Sequence, residues 1–283
     1  MTIDASIKDF LTLQAGSEPG LEELYHENTK NQPSANPLSD SNDPNIAMNL
    51  HLQQLAIAET ESFIANGFKR YSTAPQKLFQ ENLALPYVPL ADVLERRHSA
   101  SVPFVVKPVE WDKLGLLLKY SVGWNDSRTI TTEAGELHYR YTPSAGRLYP
   151  LECYVMTSDE PDAPVKLWHY QPGARALELI DHKRPGEIPP AFGNLPDPIP
   201  PVILILTGLS SRLTWKYGPR GYRYLLIEAG HIGQNLCLVA ESLCLGVRPV
   251  ANYFDDVLHD LLDVDGINEV AVYTFFVGYE KTD

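Results

Sequence analysis

The chain has 283 residues, with 23 Lys and Arg against 36 Asp and Glu, a net charge of −13. That length supports a sizeable core, as one large domain or two small ones. The acidic balance argues against a general nucleic-acid binder, which must neutralise phosphates. Three cysteines, Cys153, Cys237 and Cys244, cannot build a disulfide framework and lack metal-ligand spacing. They are expected as buried thiols acting as small hydrophobes, with no metal site. MTIDASIKDF lacks the basic start and apolar core of a signal peptide. The longest apolar run, 202–206, is far too short to span a bilayer. A soluble, cytoplasmic protein with no membrane or nucleic-acid partner is expected.

Residues 1–30 form a short amphipathic segment, and residues 31–45 (NQPSANPLSDSNDPN) have linker chemistry with too little apolar surface to offset ordering entropy. A helical pattern resumes over 47–65. Residues 90–100 (LADVLERRHSA) predict a short helix ending in a basic, hydroxyl-bearing turn. Arg96, Arg97, His98 and Ser99 suit an anion such as phosphate, because guanidinium forks grip oxyanions in a bidentate manner. The alternative is a solvated helix end whose cations favour the C-terminal dipole. Residues 108–120 predict a second helix with Trp111, Leu114, Leu117 and Leu118 on its apolar face.

Residues 143–146 (Pro-Ser-Ala-Gly) predict a turn of small residues whose backbone N–H groups stay open to a ligand. An apolar strand follows over 151–156. Residues 166–170 and 176–180 flank Gln171-Pro172-Gly173, a β-hairpin signal. Proline-rich 188–201 is a loop and a candidate flap, and 201–207 (PVILILT) is a strand buried on both faces. Leu225, Ala229, Ile232, Leu236, Val239 and Leu243 then recur at steps of three and four, the stripe of a buried helix, with Gly246 placed as its C′ residue. Gly230 and Gly233 cost roughly 1 kcal/mol each in a helix interior, which points to close approach of another backbone or a flat ligand. Just upstream, Lys216 and Tyr217 lead into a Gly-Pro-Arg-Gly turn, a loop able to present an acid and a base. A short extended piece over 248–253, a helix over 254–262 and a strand over 269–279 close the chain. No GxGxxG, P-loop, HExxH or GxSxG pattern is present, and the fold class is α+β.

Several stretches together resemble one family: PSAGRLYPLE (143–152), WHYQPGARALELI (168–180), KYGPRGYRYLLIEAGHIGQNLCLVAESLCLG (216–246) and VYTFFVG (272–278). They are similar to the nitroreductase fold, and within it to the SagB-type dehydrogenases, flavin oxidases of thiazole/oxazole-modified peptide biosynthesis. LYHENTK (24–30) resembles the lead-in to that domain. The resemblance implies an FMN-binding domain over 88–283 behind an N-terminal extension, residues 1–87. It also implies a homodimer with a central, mainly antiparallel sheet flanked by helices and the long helix at the dimer interface. Arg97, His98 and Ser99 then contact the flavin phosphate or ribityl chain, and Ser144, Ala145, Gly146 and Arg147 lie against the isoalloxazine edge. Val250, Ala251 and Asn252 approach its reactive nitrogen. Lys216 and Tyr217 match the pair that abstracts the proton when an azoline in a peptide-like substrate is oxidised to an azole. Desolvation is expected to lower the pKa of the lysine, and the neighbouring ammonium that of the tyrosine. Arg220 and Arg223 either contact flavin or substrate or simply begin the helix.

Two features depart from the family pattern. Arg147 and Tyr149 replace small or histidine residues, and the basic tail of simple nitroreductases is missing, with Lys281 the only late candidate. Residues 1–87 contain no recognisable leader-recognition domain, so either a cyclodehydratase or carrier partner delivers the substrate or the substrate is not a ribosomal peptide at all. The competing functions are an NAD(P)H-dependent flavin reductase, against which the Lys-Tyr pair argues, and a non-catalytic scaffold subunit of a synthetase complex.

Overall fold

The computed structural model describes Tyr25, His26, Thr29 and residues 68–281 other than 81, 133–134 and 161–162. The amphipathic segment, the linker and the helix expected before residue 68 therefore lie outside the described residues, apart from those three positions. Chain order begins with strand β1 (Gln76–Leu78), helix α1 (Leu90–Arg96) and helix α2 (Trp111–Val122). The hairpin strands β2 (Trp124–Thr132) and β3 (Gly135–Arg140) follow, then β4 (Leu151–Thr157), β5 (Val165–Gln171), β6 (Ala176–Lys183) and β7 (Val202–Leu209). Helices α3 (Ser211–Tyr217) and α4 (Gly221–Ser242), strand β8 (Gly246–Val250), helix α5 (Asp255–Leu262) and strand β9 (Glu269–Gly278) complete the order.

Seven strands form one sheet in the order β1-β6-β5-β4-β7-β9-β8, and every pairing is antiparallel. Strands β4 and β7 are buried on both faces, as their near-continuous apolar composition demands. One face packs Leu151, Val155, Leu204 and Phe275 against Leu114 and Leu117 of α2 and Leu225, Ile232 and Leu236 of α4. The other packs Tyr154, Ile203, Ile205 and Phe276 against Ile188, Ala191, Phe192 and Leu258. The proline-rich loop expected as a flap is thus a cover: Ile188, Ala191 and Phe192 are buried, and lifting it would expose core.

The long helix runs Gly221–Ser242 and ends in a Schellman arrangement. Cys244 N–H donates to Glu241 O (3.2 Å) and Leu245 N–H to Ala240 O (2.9 Å). The left-handed position is occupied by Cys244, at φ 55°, rather than by Gly246, which already begins β8. A Cβ at Gly246 would lie 2.9 Å from the Ala100 Cβ, so packing explains that glycine. Cys153 and Cys237 are buried as expected, whereas Cys244 is exposed. The two helix glycines differ. A Cβ on Gly233 would press on the Tyr273 and Phe275 rings at 3.1 Å, while Gly230 faces open space. The β2–β3 hairpin and the edge strand β1, paired with β6, were not foreseen from the sequence.

Candidate active site

Lys216 and Tyr217 close α3, so the pair is held by a helix end rather than by a loop. What fixes that helix is Arg212, one turn earlier and 5 % exposed. Its Nη1 donates to the Tyr149 carbonyl at 3.0 Å, and its Nη2 pairs with Glu152 of β4 at 2.5 Å. One guanidinium thus joins α3, the sheet and the loop over 143–150.

That loop makes its own constraints. Arg147 N–H donates to Ser144 O (3.2 Å), Tyr149 N–H to Ser144 Oγ (3.0 Å) and Arg140 N–H to Tyr149 Oη (3.0 Å). Gly146, Arg147 and Tyr149 all have positive φ, at 61°, 60° and 44°. Non-glycine residues there cost on the order of 1–3 kcal/mol each and persist only when the surroundings over-determine them. The two residues of this turn that depart from the family pattern, Arg147 and Tyr149, are its two strained positions.

The turn and the helix end meet. A Cβ built on Gly146 would lie 2.6 Å from Tyr217 Oη and 3.2 Å from Lys216 Nζ. Only a glycine leaves that space, so the phenol and the ammonium rest over uncovered backbone. Partial burial, together with the Arg147 cation, lowers the Lys216 pKa below its ordinary value. Burial raises that of Tyr217, and Tyr224 adds to the rise. The expected lowering of the tyrosine by its neighbouring ammonium is therefore not seen: desolvation of the phenolate outweighs it. Tyr217 stands edge-on to Tyr224, with ring centres 5.1 Å apart.

The other predicted residues lie elsewhere. Arg97, His98 and Ser99 follow α1, which is docked on the far end of α4 by an Arg96–Glu241 ion pair at 3.1 Å. Arg97 is half-buried and has no acidic partner among the described residues. His98 is fully engaged: Nδ1 meets Arg96 O at 2.9 Å and Nε2 meets Glu280 at 2.9 Å. Val250 ends β8, where its carbonyl accepts from Thr274 Oγ1 at 2.7 Å. Ala251 and Asn252 are exposed, and the Asn252 side chain lies over Gly193. From Gly221 to Ser242, both included, α4 has 22 residues, a helix roughly 30 Å long. Along that helix the turn over 144–147 lies beside Glu228 and Arg97 lies beside Cys237, nine residues farther on.

Sequence reasoning missed Arg212, Arg140 and Glu228. Glu228, 1 % exposed, lies beside Ser144, Arg140 and Arg212, beneath the turn. A signal for it existed, since 228 falls three residues after Leu225 on the apolar stripe. Nothing in the sequence marks Arg212 or Arg140 as buried.

A model of the nitroreductase family matches residues 94–279. The chain belongs to that family. A Methanocaldococcus jannaschii protein named as a nitroreductase is 31% identical over 179 residues, covering 62% of this chain and 85% of its own. The microcin B17-processing protein McbC of Escherichia coli is 28% identical over 160 residues, 50% of this chain. This chain spans only 54% of McbC. A chain of the E. coli microcin synthetase McbBCD complex with truncated pro-MccB17 bound superposes with a TM-score of 0.56 at 18% identity, covering 94% of this chain and 99% of that one. The last likeness shows the fold. No helix among the described residues is long and apolar enough to cross a membrane.

Proposed function

We propose that the protein is an FMN-dependent dehydrogenase that oxidises a thiazoline, an oxazoline or a similar C–N bond in a peptide-like substrate to the azole. The observation that carries this reading is the meeting of Lys216 Nζ and Tyr217 Oη over the bare backbone of Gly146. A reductase fed by NAD(P)H has no need of that pair, whereas azole formation must lose a proton. The similarity to McbC supports a peptide substrate, and the likeness to a chain of the microcin synthetase supports work beside synthetase partners.

The residues fit FMN in two pieces. Gly146, without a Cβ, brings the backbone of the turn against Tyr217 Oη and Lys216 Nζ, so a flat ring at the turn would lie beside both groups. Arg97, with no described acidic partner, and exposed Ser99 suit a phosphate. His98 fits only if Glu280 yields its place. The turn lies beside Glu228 and Arg97 beside Cys237, nine residues or roughly 14 Å apart along α4, and we assign the flavin to a homodimer in which it rests between the protomers. The exposed face of α4 (Tyr222, Leu226, Ile227 and the open Gly230) is the surface we assign to that pairing, an apolar stripe with room for close approach.

When bound, FMN would supply the two-electron acceptor. The chain itself handles the proton. A lowered lysine pKa gives Lys216 a larger neutral fraction near pH 8 than a free lysine has, and the neutral amine is the base. Tyr217, held protonated by its raised pKa, donates a hydrogen bond that orients the ring beside that amine.

The test is anaerobic single-turnover bleaching of the FMN-loaded protein by an azoline peptide. Lys216→Ala should bind FMN normally and bleach about 10²–10⁴-fold more slowly. Bleaching by NADPH but not by the azoline, or an unaffected Lys216→Ala variant, would defeat the reading.

A further inference from the structure

The start of α4 carries cations where a helix disfavours them. Its first turn has no acidic residue, while Arg220 and Arg223 sit at the positive end of the dipole, an arrangement that costs roughly 0.3–1 kcal/mol per charge. Their compensation comes from far away in the sequence. Arg220 Nη1 donates to the Thr29 carbonyl at 2.8 Å, and Arg223 Nη2 donates to the His26 carbonyl. These acceptors close a helical turn: Thr29 N–H and Oγ1 both donate to Tyr25 O, at 3.1 and 2.6 Å. Carbonyls at the end of such a turn lack intrahelical donors and carry partial negative charge. Thr29 is 3 % exposed. The Tyr25 ring meets Tyr222 edge-on at 6.0 Å and lies under the Arg223 guanidinium at 5.5 Å.

The Arg220 guanidinium, rather than that of Arg223, reaches the chemistry. Arg220 Nε donates to Tyr224 Oη at 3.0 Å, and Tyr224 is the ring against which Tyr217 stands at 5.1 Å and 88°. A path of direct contacts thus runs Thr29 O, Arg220, Tyr224, Tyr217. Arg220 needs both acceptors to hold its fork in one plane, and Tyr224 needs that fork to keep its hydroxyl end fixed. Neither arginine is left to begin a helix only.

We propose that Tyr25, His26 and Thr29 form a wall of the catalytic corner, and that Arg220 is the positioning residue that passes their docking on to Tyr217 through Tyr224. The role rests on the reading of Lys216 and Tyr217 as the proton-handling pair; the docking itself does not. Tyr25, His26 and Thr29 then belong to the enzyme's working surface, and loss of their docking would slow the chemical step without weakening the hold on the flavin.

The experiment compares full-length wild type with Arg220→Gln, Tyr224→Phe and the double variant. Hydrogen exchange is followed on peptides covering 25–29 and 214–221, and single-turnover bleaching by an azoline peptide is measured across substrate concentration. Arg220→Gln should speed exchange in both peptides and lower the maximal bleaching rate about tenfold, with half-saturation and FMN affinity unchanged. Tyr224→Phe should reproduce the rate loss, and the double variant should be no worse than the poorer single variant. Faster exchange at 25–29 with full bleaching rate, or strictly additive losses, would overturn the proposal. If Arg220→Gln does not fold, Tyr224→Phe decides alone, because a full bleaching rate there also overturns it. Should wild type fail to bleach with any azoline, the functional reading falls, and the proposal then stands or falls on the coupled exchange of the two peptides.

Discussion

Glu228 offers a test of the ground beneath the site that needs no substrate. Neither carboxylate oxygen receives a full hydrogen bond, although the Ser144 hydroxyl and the Arg140 and Arg212 cations lie beside it. Burial wins over all three and pushes the carboxyl from the ordinary 4.5 up to about 7. A carboxyl raised in the folded state binds its proton more tightly there than in the unfolded chain. Folding stability therefore falls as pH rises from about 4.5 to 7, then levels off. At about 1.4 kcal/mol per pH unit, the full loss is about 3 kcal/mol. Glu228→Gln mimics the protonated acid and removes that loss. Urea unfolding should find variant and wild type within about 1 kcal/mol at pH 4.5 and the variant ahead by about 3 kcal/mol at pH 8. An equal difference at both pH values would refute the reasoning, since a packing defect has no cause to titrate.

Two further outcomes follow from neighbouring geometry. Gly146→Ala places a methyl 2.6 Å from Tyr217 Oη at a φ of 61°. It should cost about 1 kcal/mol in denaturant unfolding and about 10²-fold in the azoline bleaching rate by displacing the phenol. His169, fully buried, is clamped by Glu152 (2.9 Å) and Glu178 (3.0 Å). Burial alone would lower its pKa, but the two carboxylates outweigh it and raise the value. A raised histidine gives stability that is complete below about pH 6.5 and lost as pH climbs through the folded value. The thermal midpoint of wild type should exceed that of His169→Gln at pH 5.5 and converge toward it at higher pH. A constant gap would refute the charged clamp.

Periodicity made the scaffold legible. The 225–243 stripe, the 201–207 run and the 171–173 hairpin each became the expected element, because local apolar spacing and burial agree there. The meeting of Gly146 with Lys216 was foreshadowed only by small residues and by adjacency of an acid and a base. The buried polar frame beneath it was illegible: Arg212, Arg140 and Glu152 look like surface charges until three separate elements converge on them. The sign of the Tyr217 shift was misjudged for the same reason, since pairwise charge can be read from a sequence and desolvation cannot. Glu280, which occupies His98, was hidden by 182 positions of separation in the chain.

The exposed face of α4, with Tyr222, Leu226 and Ile227, ties output to concentration. If two chains pair along it with the flavin between them, as proposed, dilution acts as an inhibitor, and catalytic output per milligram falls once pairing weakens.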